Sequence, residues 1–401
     1  MEVKELQGRL AETGEHVRLN IDGGRIVSVA PVPGPEPDEP DKRDESGLWI
    51  APGLVDLQIN GFAGHDLNAA DAPLEARVEA VCRMTREVLK TGTTSFCPTI
   101  ITAGFEQIRD AVRAIRLACE RDPLVRDSVI GIHLEGPYIS GEDGPRGAHP
   151  KDQVRDPDWD EFAAWQEAAG GLIRMVTLAP ERKGAVAMIR RLAAEGILVC
   201  IGHTAASHED IAAAADAGAR LSTHLGNGAH PLLPRHPNYI WSQLADDRLT
   251  PGIIADGHHL HPSVVKVMSR AKNGRVVLVS DAAHLAGMAP GRYKTHIGGE
   301  VELLPTGRLQ MAAPPHLLAG SAVSLADCVE RYREFLSCPL GEAIRAAAGR
   351  PAELIGEPLL GEIGPGRAAD LIAFTREQSE GRLHIRKVIK SGRIVWEAGN
   401  E

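Results

Sequence analysis

The sequence predicts an α/β protein: a (β/α)8 TIM-type barrel with a small β-sandwich formed by both termini. Three observations lead there. Eight short apolar segments recur along the middle of the chain, helical patterns separate most of them, and both ends alternate apolar and polar residues in the manner of strands. The expected division is 1–50 and 360–401 for the sandwich and 51–359 for the barrel.

At the N-terminal end, His16, Val17, Arg18, Leu19, Asn20 and Ile21 alternate, turn at Asp22-Gly23-Gly24 and resume at Arg25-Ile26-Val27, which predicts a β-hairpin. The Pro- and acid-rich stretch 31–45 predicts an exposed loop. The eight barrel strands are expected at 54–58, 94–97, 129–133, 173–179, 197–202, 221–224, 252–255 and 276–280. Between the first ones, Leu74, Val78, Val81, Thr85 and Val88, and then Ile108, Val112 and Ile115, recur at three- and four-residue steps, as helices packed on a sheet require. Strands that are apolar throughout need both faces covered, which is the condition of a parallel sheet. At the C-terminal end, 369–374, 385–388 and 391–396 are strand-like, and Gly392-Arg393-Ile394-Val395 repeats Gly24-Arg25-Ile26-Val27. One sandwich assembled from the two ends accounts for both.

Composition narrows the function. Of 401 residues, 43% are hydrophobic and 24% charged, in the range of a soluble globular chain, and the net charge of -10 with no Lys/Arg run argues against nucleic acid as a partner. The first residues lack a signal-peptide pattern and no apolar run reaches membrane-spanning length, so a cytoplasmic protein without a membrane partner is expected. Six scattered cysteines without a CxxC pair read as reduced structural thiols, with Cys97 the one that could line a pocket floor.

The expected strand ends carry an unusual set of side chains: Gln58, Asn60, His133, Glu135, His203, His224, His258, His259 and Asp281. In a barrel they converge on one rim, where catalytic groups sit. Glu135, His203 and His224 would give a carboxylate and two imidazoles with an open position, the usual make-up of a catalytic zinc site; Fe2+, Co2+ or Mn2+ would also fit. Taken singly, each is more ordinarily a hydrogen-bonded rim residue. Asp281 closes the apolar run 276–280, where it could serve as general base and then acid or merely cap a helix.

The motifs Ala51-Pro52-Gly53-Leu54-Val55-Asp56-Leu57-Gln58-Ile59-Asn60-Gly61, His133-Leu134-Glu135-Gly136-Pro137, Thr177-Leu178-Ala179-Pro180-Glu181, Gly202-His203-Thr204, Thr223-His224-Leu225 and Ser280-Asp281-Ala282, in that order, resemble the N-acetylglucosamine-6-phosphate deacetylases of the amidohydrolase superfamily. The resemblance spans about residues 50 to 325. It implies hydrolysis of the N-acetyl amide of a phosphorylated amino sugar, with Glu135, His203 and His224 on the metal and Asp281 as catalytic acid/base. It further implies that His149 polarises the acetyl carbonyl, that Asn227, Gly228 and Leu318 bind substrate, and that His259 and Arg235 hold the phosphate, Arg235 from the neighbouring subunit of a homodimer. Gln58-Ile59-Asn60 stands where many superfamily members have His-x-His, which favours one metal ion per chain because amides are weak ligands. The loop Gly226-Asn227-Gly228-Ala229-His230 departs from the family pattern, leaving open an unphosphorylated or differently acylated amino sugar as substrate. A non-catalytic relative would have lost ligands that are all present here. His230, His236, His258, His261, His284 and His316 are left as exposed or loop-satisfying residues, with His258 and His284 closest to assigned ones.

Overall fold

The computed structural model describes residues 1–33, 47–295, 299–313, 317–376 and 382–399; most of the loop expected at 31–45, and His316, lie outside them. Eight strands run in chain order around one parallel sheet: β1 (Leu54–Ile59), β2 (Thr93–Ile101), β3 (Ile132–Glu135), β4 (Ile173–Leu178), β5 (Leu198–Ile201), β6 (Leu221–Ser222), β7 (Thr250–Ile253) and β8 (Val277–Leu278). The chain just beyond β8 returns to β1 through Asp281 N donating to Gln58 O (3.0 Å) and Asn60 N to Ala282 O (2.9 Å), which closes the barrel. Each expected strand is found, though β3 begins later than its apolar run suggests and so carries Glu135 as its last residue.

The reason for closure is visible in burial. Val55 and Leu57, Cys97, Met175, Cys200, Leu221 and Val277 fill the barrel interior, while α1 (Leu74–Lys90) and α2 (Phe105–Arg121) press Val78, Val81, Val88, Ile108, Val112 and Ile115 against its outside. Strands apolar on both faces need both covered, and here the closed interior covers one face and the helices the other. Cys97 belongs to the interior packing and does not line the active pocket, so its alternative reading as pocket floor is corrected. All six cysteines are free.

Strands from both termini hydrogen-bond in one seven-stranded sheet, in which Trp49–Pro52 pairs with Leu371–Arg376 and the hairpin His16–Asp22/Arg25–Pro31 forms one edge. Leu6, Leu19, Ile21, Ile26, Ile50, Leu371 and Ile389 meet in a single core, the sandwich expected from the alternation at each end. Buried Lys390 ties this sheet to the barrel, donating to Asp370 Oδ2 (2.6 Å) and Ser95 Oγ (2.9 Å).

One element is new relative to the sequence reading. After β8, Gly291–Thr295, Gly299–Leu303, Arg308–Met311 and Leu318–Ser321 form a four-stranded antiparallel sheet with its own small core of Leu285, Val301, Leu303 and Leu309. Its strands are four or five residues long, too short for their alternation to stand out. Among the described residues no helix is long and apolar enough to cross a membrane.

Candidate active site

The C-terminal ends of the barrel strands open into a cavity of about 350 Å3. Its lining includes Asn60, Glu135, His203, His224 and Asp281 and, from the inserted sheet, the apolar Leu309, Met311 and Leu318. Glu135 ends β3, whereas His203, His224 and Asp281 lie just past the ends of β5, β6 and β8. All three of the latter have positive φ, 51°, 26° and 49°. A side chain in that region costs roughly 1 to 3 kcal/mol, so the surrounding contacts must hold it there. The left-handed turn ends the strand and aims the side chain inward.

Glu135 Oε1 lies 3.0 Å from His224 Nε2 and 3.3 Å from His203 Nε2, and the two ring nitrogens are 3.1 Å apart. His203 Nδ1 is 2.8 Å from the Pro145 carbonyl, which only accepts; Nδ1 therefore carries a hydrogen, and Nε2 is the nitrogen turned to the cluster, able to donate to Glu135 when protonated or to bind a metal when not. Gly228 makes this possible, because a Cβ there would stand 2.7 Å from His203 Nδ1. It serves His203, in addition to lining the cavity as the sequence reading expected. His149, on the loop after β3, packs its ring edgewise on His203 (centroids 4.3 Å), and its Nδ1 meets Thr102 Oγ1 at 2.8 Å. Glu135, His149 and His203 offer ligand atoms all within 4.8 Å of one another. Four donors thus converge, one carboxylate and three imidazoles, a set that suits a divalent ion.

The electrostatics follow from the same contacts and from burial. Burial raises a carboxyl pKa, but hydrogen bonds from His203 and His224 outweigh it and hold Glu135 well below the usual range. His224 is raised, burial notwithstanding, by Glu135. Burial and then His203 push His149 down to about 3, leaving a neutral ring. Asp281 is raised, first by burial and then by the charge of Glu135.

The two amides between the strand ends each hold one carboxylate. Gln58 Nε2 donates to Glu135 Oε1 (2.8 Å) and Asn60 Nδ2 to Asp281 Oδ1 (2.7 Å). Of the expected substrate residues, Asn227, Gly228, His259 and Leu318 line the cavity, while Arg235 sits on an exposed loop away from it. His259 is anchored through Nδ1 to Asp256 Oδ2 (2.7 Å), and that partnership holds Asp256 below its ordinary pKa in spite of burial. Asp256 went unassigned in the sequence, although its place three residues before His259 is the signal. His284, one of the two histidines set apart in the sequence because they neighbour assigned residues, also lines the cavity, near Asp66. His230 bridges Glu142 and Tyr239, His258 reaches Thr306 O, His261 caps the helix Pro262–Ala271 and His236 is exposed.

Beneath Asp281 lies a further carboxyl, Asp56, fully buried on β1. Its Oδ1 accepts from Gln58 N and Ser280 N (3.2 Å each), its Oδ2 has no hydrogen-bond partner among the described residues, and burial raises its pKa from 3.8 to about 7. The folded state therefore holds this proton more tightly than the unfolded chain. Its stabilising contribution is complete below pH 4 or so and is lost as the pH rises through about 7. Urea midpoints measured from pH 5 to pH 8 are expected to fall for the wild type relative to Asp56→Asn, with a difference on the order of a few kcal/mol. Parallel profiles for the two proteins would mean that Asp56 is already ionised.

The chain belongs to the amidohydrolase family, whose model matches residues 49–395. Within that class it is 35% identical to the N-acetylglucosamine-6-phosphate deacetylase of Homo sapiens over 97% of this chain and 94% of that protein. It is 32% identical to an N-acetylgalactosamine-6-phosphate deacetylase of Escherichia coli O157:H7, over 94% of each. The crystal structure of N-acetyl-D-glucosamine-6-phosphate deacetylase from Mycobacterium smegmatis superposes with a TM-score of 0.83 at 29% identity, covering 98% of this chain and 100% of that one.

Proposed function

We propose that this chain hydrolyses the N-acetyl amide of N-acetylglucosamine 6-phosphate to glucosamine 6-phosphate and acetate. The observation that carries the reading is the convergence of Glu135, His203 and His224 beside Asp281 in one cavity. We assign these three side chains to a divalent ion and His149 to the substrate. Zn2+ suits a His2Glu set best, and Co2+, Fe2+ and Mn2+ follow in that order of affinity. When bound, such an ion supplies Lewis acidity and makes water nucleophilic near neutral pH. A single ion is favoured because Gln58 and Asn60 are amides already engaged with Glu135 and Asp281.

Asp281, oriented by Asn60, takes the proton of the attacking water and returns it to the departing amine nitrogen. Its raised pKa shortens the step between the two roles. His149 is neutral, and the Thr102 hydroxyl can donate to its Nδ1; Nε2–H then faces the cavity as donor to the acetyl oxygen. His259, backed by Asp256, presents its other nitrogen to the sugar phosphate. Arg235 would complete that contact in the pocket of a second copy, and Leu232 and Trp241, 88% and 53% exposed on either side of it, give a homodimer an apolar contact.

The test is acetate release from N-acetylglucosamine 6-phosphate, N-acetylgalactosamine 6-phosphate and each sugar without phosphate, in wild type and Arg235→Ala. The variant is expected to lose roughly 2 to 4 kcal/mol, about 30- to 700-fold in kcat/KM, on the phosphorylated sugar and little on the plain one. A preference for the plain sugar, or equal losses on both, would reject the phosphate assignment. Faster turnover of the galacto epimer would move the substrate to the one named for the Escherichia coli relative.

A further inference from the structure

Below the converging ligands lies a polar layer that no step above uses. His133 is fully buried on β3, two residues before Glu135, so both side chains point into the barrel. Its Nε2 is 2.7 Å from Thr177 Oγ1 on β4, and that hydroxyl is 2.7 Å from Thr223 Oγ1, just past β6. On the other side, Nδ1 makes a longer contact of 3.4 Å with Thr99 Oγ1 on β2, which also accepts the amide of Ile59 on β1 (3.1 Å). Thr99 Oγ1 donates its own hydrogen to Cys97 O (3.2 Å).

These contacts have one consistent direction. Thr99 spends its only hydrogen on a carbonyl, so His133 Nδ1 donates to Thr99, Nε2 accepts from Thr177, and Thr177 accepts from Thr223. The belt crosses five of the eight barrel strands or their ends, and each hydroxyl and ring nitrogen in it is satisfied. An imidazole placed between such a belt and the apolar interior of Leu57, Met175 and Cys200 is costly unless fully bonded, and a fully bonded network fixes one arrangement. What stands on it matters: Glu135 follows His133 on the same strand, and Thr223 directly precedes His224, which has the φ of 26° and is furthest from a comfortable conformation.

We propose that His133 is a positioning residue for the metal site, acting through Thr177 and Thr223 on His224 and along its own strand on Glu135. The proposal rests on the metal-centre reading given above. Removing one belt hydroxyl should loosen the ligands while leaving the barrel folded.

The variant that tests this is Thr177→Val, which keeps the shape and removes the hydroxyl linking His133 to Thr223; His133→Leu is the harsher companion. Affinity for Zn2+ is measured by chelator competition on the full chain, and the visible absorption of the Co2+-loaded protein reports ligand geometry. Thr177→Val is expected to bind Zn2+ about 10- to 100-fold more weakly, to shift the Co2+ band, and to lower kcat at unchanged KM, with Thr177→Ser restoring all three. Wild-type affinity and an unshifted band in Thr177→Val would overturn the proposal. So would loss of the metal-free fold in Thr177→Val, which would make the belt a folding element. If the wild type itself binds no divalent ion, the metal-centre reading falls first and this proposal falls with it.

Discussion

Asp281→Asn is expected to lower turnover by about 10^2- to 10^4-fold while the protein keeps its fold and its metal. Asparagine is the right replacement for a structural reason. Asp281 has a φ of 49°, and asparagine tolerates the left-handed region better than any other residue of similar shape. Its carbonyl oxygen can still accept from Asn60 Nδ2, now 2.7 Å from the carboxylate. What disappears is the ability to take a proton. Alanine, by contrast, would mix lost chemistry with backbone strain. The measurements are kcat and metal content side by side, and a variant with normal kcat would shift the base elsewhere, with His284 the first candidate because it lines the same cavity.

The second large effect concerns Glu135. Elemental analysis of the wild type is expected to find about one divalent ion per chain, and Glu135→Gln should retain little of it while activity falls by about 10^3-fold or more. Among the described residues the Glu135 carboxylate pairs with both His203 Nε2 and His224 Nε2, so its neutralisation removes a ligand and the partner of two others. Undiminished metal in Glu135→Gln would point to an all-imidazole site in which His149 joins His203 and His224. Two tightly held ions in the wild type would defeat the single-ion reading, and with it the role given to the amides of Gln58 and Asn60.

The sequence made the barrel legible because its strands are apolar on both faces, a pattern few other arrangements tolerate, and because Glu135, His203, His224 and Asp281 each interrupt such a run where it ends. Other features had no comparable signal. Positive φ is announced by glycine, but here histidine and aspartate adopt it at the rim. The approach of His149 to His203 depends on where a loop lands against Thr102, a contact 47 residues apart in the chain. Thr177 and Thr223 sat inside recognised motifs, yet their mutual hydrogen bond exists only once the strands are arranged side by side. The inserted sheet was missed because four or five residues of alternation look like ordinary loop.

The sheet built from both ends has a consequence for synthesis. Arg25 bonds to Gly366 across 341 residues, and Trp49 pairs with Phe374. At about 5 to 20 residues per second, a ribosome needs roughly 17 to 70 seconds to deliver the second partner after the first. Throughout that interval the strand Trp49–Pro52 waits with an unpaired edge. The nascent chain is therefore most open to misassociation before its last strands emerge, and a premature stop ahead of residue 371 would leave that edge uncovered permanently.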